Sequence, residues 1–343
     1  MTEFSNGQYY RIPNTRREDA GSYQCMARND AGTIFNMGNF EDITERRVSV
    51  ESGHAAILDL PPIESIPPPS VTWQDEESQL KFDIKYAETL KNQLIILDVD
   101  EFDQKSYRAR AINTQLGKEE NSAFTHLNVT GEPNGEIAPE IIIHPEDLNL
   151  VRGTQVSQLK CIANARPLHE LETLWLKDGI LIENTGISHT LDDPWNRTLA
   201  LLSANLTHTG QYTCQVRLRT GGFPTVTSTA NVIVQEPPTF FSPLRTETLG
   251  EYGSTISIPC DAFGEPVPHV TWFRNAEALD MTSERYIVQE DNSLVIKKLS
   301  IDDSAMFQCL ASNDAGEKSS YTWLRVKKWK WEIWKEGKIF RNY

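Results

Sequence analysis

Five cysteines carry the sharpest chemical signal in this 343-residue chain: Cys25, Cys161, Cys214, Cys260 and Cys309. Cys161 and Cys214 stand 53 residues apart, and Cys260 and Cys309 stand 49 apart. Two near-equal spacings predict two disulfides, each closed inside its own domain, and leave Cys25 an unpaired thiol. Disulfides imply an oxidising compartment. Three Asn-x-Thr triplets, at Asn128, Asn196 and Asn205, are candidate N-glycosylation acceptors. The other reactive residue types form no constellation. None of the seven histidines sits at metal-ligand spacing, and there is neither a phosphate-binding glycine loop nor a Gly-x-Ser-x-Gly elbow. The acidic runs "DVDEFD" (98–103) and "LDD" (191–193) lack EF-hand spacing and read as solvated turns. The expectation is no catalytic residue, no metal, no cofactor and no small-molecule substrate.

Composition narrows the class further. The formal net charge of -15 argues against nucleic acid, whose phosphates require clustered Lys and Arg. An apolar content of 39% is enough to build packed cores. No run of about 18 apolar residues is present, so no membrane-spanning segment is expected. The start "MTEFSNGQYY" lacks the basic-then-apolar order of a secretory signal. Disulfides without a signal are reconciled if the chain is a fragment, with a membrane anchor expected only in a longer parent.

The elements that must position the cysteines appear as a repeat. Asp19-x-Gly21-x-Tyr23-x-Cys25 recurs as His208-x-Gly210-x-Tyr212-x-Cys214 and Asp303-x-Ala305-x-Phe307-x-Cys309. A fourth copy, Asp103-x-Lys105-x-Tyr107-x-Ala109, has alanine for cysteine. Upstream of each copy lies an apolar pair at period two: Tyr10/Ile12, Leu94/Ile96, Leu199/Leu201 and Leu294/Ile296. Such alternation marks a half-buried strand. Trp175 follows Cys161, Trp272 follows Cys260, and Trp73 follows Leu60 at a similar spacing.

Cysteine, then tryptophan, then Tyr-x-Cys is the framework of an immunoglobulin β-sandwich, with Trp73, Trp175 and Trp272 as core residues. The predicted fold is all-β: tandem immunoglobulin-like sandwiches at 46–130, 138–235 and 236–328, preceded at 1–36 by the C-terminal half of another. Residues 37–45 and 131–137 read as linkers and 329–343 as a non-domain tail. In this register Cys25 is a last-half cysteine whose partner is absent. The 46–130 domain has no disulfide, because Leu60 and Ala109 occupy its cysteine positions, and Phe307 replaces the corner tyrosine of the last domain. The stretch "TGEPNGEIAPE" (130–140) is long enough to permit either a slack linker or a fold-back.

Several stretches resemble the sidekick family of cell-surface adhesion proteins: "MGNFED" (37–42), "PPSVTW" (68–73), "IAPEIIIHP" (137–145), "CIANARPL" (161–168), "EPPTFF" (236–241) and "QCLASNDAGE" (308–317). The resemblance covers roughly residues 8–328, and a cysteine-free second domain also fits it. It implies a membrane-anchored parent, exposed on the extracellular side of the plasma membrane, with fibronectin type III domains after the immunoglobulin region. It implies homophilic adhesion in neuronal, synaptic or epithelial junctions, the partner being the same protein on an apposed cell. It implies a horseshoe in which domains one and four, and two and three, pair, with the bend at 130–140. A horseshoe that needs a whole first domain leaves this chain as written unable to adhere. Two rivals share the fold: an intracellular muscle-type structural protein, and the ectodomain of a receptor enzyme.

Overall fold

The computed structural model describes residues 3–5, 9–11, 36–41, 44–132, 135–280, 282–328, 332–335 and 338–341. Cys25, most of the expected half-domain at 1–36, and Trp329 and Trp331 of the tail lie outside them. The chain divides into two compact units, 26–234 and 1–25 with 235–343.

The first unit holds two sandwiches. In the earlier one, strand Ser106–Asn113 alternates from Tyr107 onward, turning Tyr107, Ala109 and Ala111 inward. It pairs antiparallel with Ser70–Gln74 and Lys118–Asn121, and touches Thr125–Thr130, which in turn runs parallel to Arg46–Glu51. The facing sheet is Ala56–Leu58, Leu94–Ile96 and Tyr86–Glu88. Trp73, Leu58, Leu94, Ile96 and Tyr107 fill the space between. Leu60 packs half-buried against this cluster and Ala109 is wholly buried, so apolar contact occupies the place of a disulfide. One expectation changes here. Residues 37–45, read as linker, begin inside strand Asn36–Phe40, which pairs with Ile63–Ile66 and buries Met37 and Phe40 in the core. Met37 and Phe40 stand three residues apart and share the core face because the pairing register shifts between them, so the short strand lacks the period-two signature that would separate it from a linker.

The later sandwich repeats the plan around Gly210–Leu218, flanked by Leu171–Lys177 and by Val226–Phe240. Its second sheet is Val156–Lys160, Thr198–Leu202 and His189–Leu191. Strand Ile137–Ile143 pairs with Ile162–Arg166, so the expected 131–137 linker ends one residue into a strand. Cys161 and Cys214 are bonded, with Cα atoms 6.4 Å apart, beneath Trp175. In the second unit the sheet Glu247–Glu251, Gly316–Lys327, Met306–Asn313 and His269–Arg274 faces Ile256–Ile258, Leu294–Ile296 and Tyr286–Val288. Cys260 and Cys309 are bonded across its core beside Trp272. The tail strand Glu332–Lys335, which includes Trp334, pairs with Lys338–Arg341.

Two local devices recur because the repeat recurs. Each core tryptophan donates its indole N–H to an asparagine carbonyl: Trp73 to Asn92 at 2.9 Å, Trp175 to Asn196 at 2.8 Å, Trp272 to Asn292 at 2.9 Å. All three asparagines have positive φ, a conformation asparagine tolerates better than most residues. The corner tyrosines donate to the turn below them, Tyr107 to the Asp103 carbonyl at 3.0 Å and Tyr212 to the His208 carbonyl at 2.9 Å. Burial raises both phenols' pKa values, which keeps them protonated as donors. Phe307 keeps the buried ring without the hydroxyl. Tyr107→Phe is therefore expected to lower unfolding stability by about 1 kcal/mol, read from the midpoint of denaturant unfolding.

Candidate functional site

The most constructed region of the described residues is the seam where the two sandwiches of unit 26–234 meet. Strand Leu94–Ile96 is buried on both faces. Leu94 and Ile96 enter their own core, while Ile95, with Ala87 and Leu97, turns outward onto Ile162 and Leu168 of the next sandwich. Ile84, Ile142, Ile143 and Leu171 close the margin. Polar pairing fixes the register of this apolar contact. Asn164, 1% exposed, accepts the Asp98 N–H at 2.7 Å and donates to the Gly53 carbonyl at 2.9 Å. Arg166 donates from Nε to the Asp98 carboxylate at 2.5 Å. Gly53 sits at φ +89°, and a Cβ there would fall 2.3 Å from Ile137 Cδ1. Lys160 donates to the Glu88 carbonyl at 2.5 Å, and Lys91 meets Glu146 at the exposed rim. The fold-back that 130–140 permits is realised between these two sandwiches.

Charge is unevenly satisfied along the seam. The Glu88 Oε1 atom is buried without a hydrogen-bond partner. Burial lifts this carboxyl above the usual glutamate range, although the Lys160 ammonium opposes the shift. Burial likewise raises Asp98 against the pull of Arg166, and lowers Lys160. A raised carboxyl means the folded state holds its proton at pH values where the unfolded chain has released it. Stability therefore falls as pH rises from the ordinary carboxyl value through the raised one. Glu88→Gln is expected to flatten that slope, measured as unfolding midpoint at stepped pH values between roughly 4 and 7. An unchanged slope would assign the dependence elsewhere.

A second feature is a polar groove of about 570 Å³ on the sandwich 46–130. It runs across the outer face of the sheet formed by Thr125–Thr130 and Arg46–Glu51, where His126 is opposite Arg47 and Asn128 opposite Ser49. Ser106 and Glu76 form the far wall. Ser106 Oγ donates to Glu76 and lies 2.9 Å from His126 Nδ1, and His126 Nε2 lies 3.2 Å from Glu45. This serine–histidine–carboxylate contact was invisible in the sequence, because its members come from four strands and loops. Its hydrogen-bond direction differs from that of an activated nucleophile: the serine proton points to Glu76, not to the histidine. The network shapes a wall.

The residues singled out by sequence now have places. The acidic turn 98–103 is capped internally, Asp100 accepting the Phe102 N–H and Asp103 the Asp100 N–H, with Lys85 paired to both carboxylates. In 191–193 the Asp193 carboxylate accepts the Trp195 and Thr198 amides. Among the described residues no group of three potential ligands could hold a metal ion, and no helix is long and apolar enough to cross a membrane. Asn128 and Asn205 are exposed. Asn196 is half-buried, and its amide donates to the Thr173 carbonyl at 3.2 Å. It occupies the same turn position as Asn92 and Asn292, neither of which begins an Asn-x-Thr triplet. Backbone geometry alone accounts for an asparagine there.

Paired sheets, buried tryptophans, inter-sheet disulfides in two of the sandwiches and tyrosine corners define a tandem immunoglobulin protein. The chain belongs to the immunoglobulin I-set family, whose model matches residues 39–129 and 238–326. Over nearly all its length it is homologous to the sidekick proteins. It is 62% identical over 336 residues to Protein sidekick of Drosophila melanogaster and 36% identical over 338 residues to Protein sidekick-1 of Mus musculus, each match covering 95% of this chain and 15% of the relative. The chain thus spans about 15% of the length of these curated relatives. The solved structure of Sidekick-1 immunoglobulin domains 1-4 matches with a TM-score of 0.74 at 37% identity, covering 93% of this chain and 86% of that one.

Proposed function

We propose that the chain is the immunoglobulin region of a cell-surface protein, displayed on the extracellular side of the plasma membrane, and that it serves homophilic adhesion to the same protein on an apposed cell. The observation that carries this reading is the seam of the 46–130 and 138–234 sandwiches. A tandem array used as an extended spacer has no need of a buried asparagine, an ion pair and an apolar cluster holding one domain against the next. A rigid folded pair presents one fixed surface, which lowers the entropy lost on binding.

The last sandwich supports the same arrangement. By register from the prolines that follow strands Ile162–Arg166 and Ala262–Glu265, its Phe241, Phe263 and Val267 stand where Ile142, Asn164 and Leu168 stand in the preceding sandwich. They are 83%, 46% and 83% exposed. Exposed apolar residues of this kind favour cover by a further sandwich.

The test exchanges residues 37–328 into the matching region of a membrane-anchored sidekick protein on otherwise non-adherent cells. Aggregation confined to cells of the same kind is expected, with loss in the Asn164→Ala, Arg166→Ala double variant at equal surface expression. No aggregation by the exchanged protein, or full aggregation by the double variant, would overturn the proposal.

A further inference from the structure

We propose that Asn128 carries an N-linked glycan and that the groove beside it seats the first sugars of that glycan against the protein. The inference rests on the extracellular reading above, because such glycans are added along the secretory route.

Strand Thr125–Thr130 alternates, so Asn128 and Thr130, the two obligatory members of the acceptor triplet, both project outward and are exposed. The Asn128 amide donates one hydrogen to Ser49 Oγ at 3.4 Å, which aims the side chain along the sheet rather than away from it. The other amide hydrogen is the one a sugar replaces. Asn128 is itself one of the residues that line the groove. Its volume of about 570 Å³ falls within the ~300–1,000 Å³ typical of small-ligand sites.

The lining suits an acetamido sugar, whose hydroxyls and acetamide need donors and acceptors in alternation. Exposed Arg47 offers a fork of N–H donors directly beside His126 in the neighbouring strand. Lys105, paired to Asp75 at 3.2 Å, adds an ammonium, and the Glu76 carboxylate adds acceptor capacity. Gln104, also in the lining, accepts the Val129 N–H at 3.3 Å. Several of these groups are already tied to protein partners, so the groove is shaped before the sugar arrives and little side-chain freedom is lost on seating it. Asn196 and Asn205 do not line this groove.

The full chain, secreted from insect cells behind an added leader, supplies the test. The leader forces secretion, so every outcome bears on the groove and none on where the natural protein resides. Glycopeptide mapping should find Asn128 modified, and Asn128→Gln should remove one glycan from the intact mass. Enzymatic release of this glycan from the native chain should be slow and should rise about tenfold in Arg47→Ala, the effect of losing roughly 1.4 kcal/mol of contact. Both chains should release it at one rate when denatured, and an unchanged thermal midpoint would show that Arg47→Ala remains folded. Should that variant unfold, Arg47→Gln, which keeps length and some donors, should give a smaller rise. An unmodified Asn128, or native release as fast from the parent chain as from both Arg47 variants, would overturn the proposal.

Discussion

Trp73→Ala is expected to unfold the 46–130 sandwich outright. Truncating a buried tryptophan costs about 3–5 kcal/mol, against a total stability of about 5–15 kcal/mol for a domain. Trp73 is 2% exposed, touches both sheets and donates its indole N–H to Asn92, so the change opens a cavity and orphans a carbonyl. This sandwich also lacks the bridge that contributes about 2–5 kcal/mol in small domains. Trp272→Ala meets the same loss in a sandwich still stapled by Cys260–Cys309, and should leave that domain folded with a lowered midpoint. Limited proteolysis with mass mapping separates the two cases. Equal protection of 46–130 and 236–328 in their respective variants would contradict the argument.

Asn164→Ala should be the next most damaging change, and it acts between sandwiches rather than within one. It deletes both hydrogen bonds of the clamp and leaves the Asp98 N–H and Gly53 carbonyl without partners in a buried place. Each orphan costs about 1–3 kcal/mol, so the seam should weaken by about 2–6 kcal/mol in all. Gly53→Ala should behave alike, since the added methyl meets Ile137 Cδ1 from a backbone at positive φ. The expected reading is faster hydrogen exchange at the Asp98 amide while amides of Gly210–Leu218 keep their protection. An Asp98 amide as protected as before would show that the apolar cluster holds the seam alone.

These two sites differ in how far the sequence reveals them. The cysteine, tryptophan and tyrosine positions announce the sandwich because each residue type has one physical reason to recur at that spacing. Trp73 was thus evident from its register with Trp175 and Trp272, even without cysteines beside it. The seam was not. Leu94 and Ile96 read as an alternating strand, which speaks for one face only; the second face shows in Ile95 between them, since a strand apolar on both faces signals burial on both. Asn164 gave no signal, because a buried polar clamp is defined by partners 66 and 111 residues away. The groove beside Asn128 escaped for the same reason, its walls being assembled from distant strands. Residues 37–45 show the opposite error: a composition suited to a linker conceals an edge strand whose Met37 and Phe40 complete a core.

The pairing of outermost strands has a mechanical consequence. In 46–130 the first full strand, Arg46–Glu51, runs parallel to the last, Thr125–Thr130, over six residue pairs. In the final sandwich Glu247–Glu251 runs parallel to Trp323–Lys327 over five. A pull on the two ends of either domain tries to slide these strands past each other along their length. The ladder is then loaded in shear, its rungs sharing the force and failing together, where a hairpin pulled from one end would peel open rung by rung. Tension applied to this chain should therefore be met by abrupt, high-force yielding of whole sandwiches instead of gradual fraying from their edges.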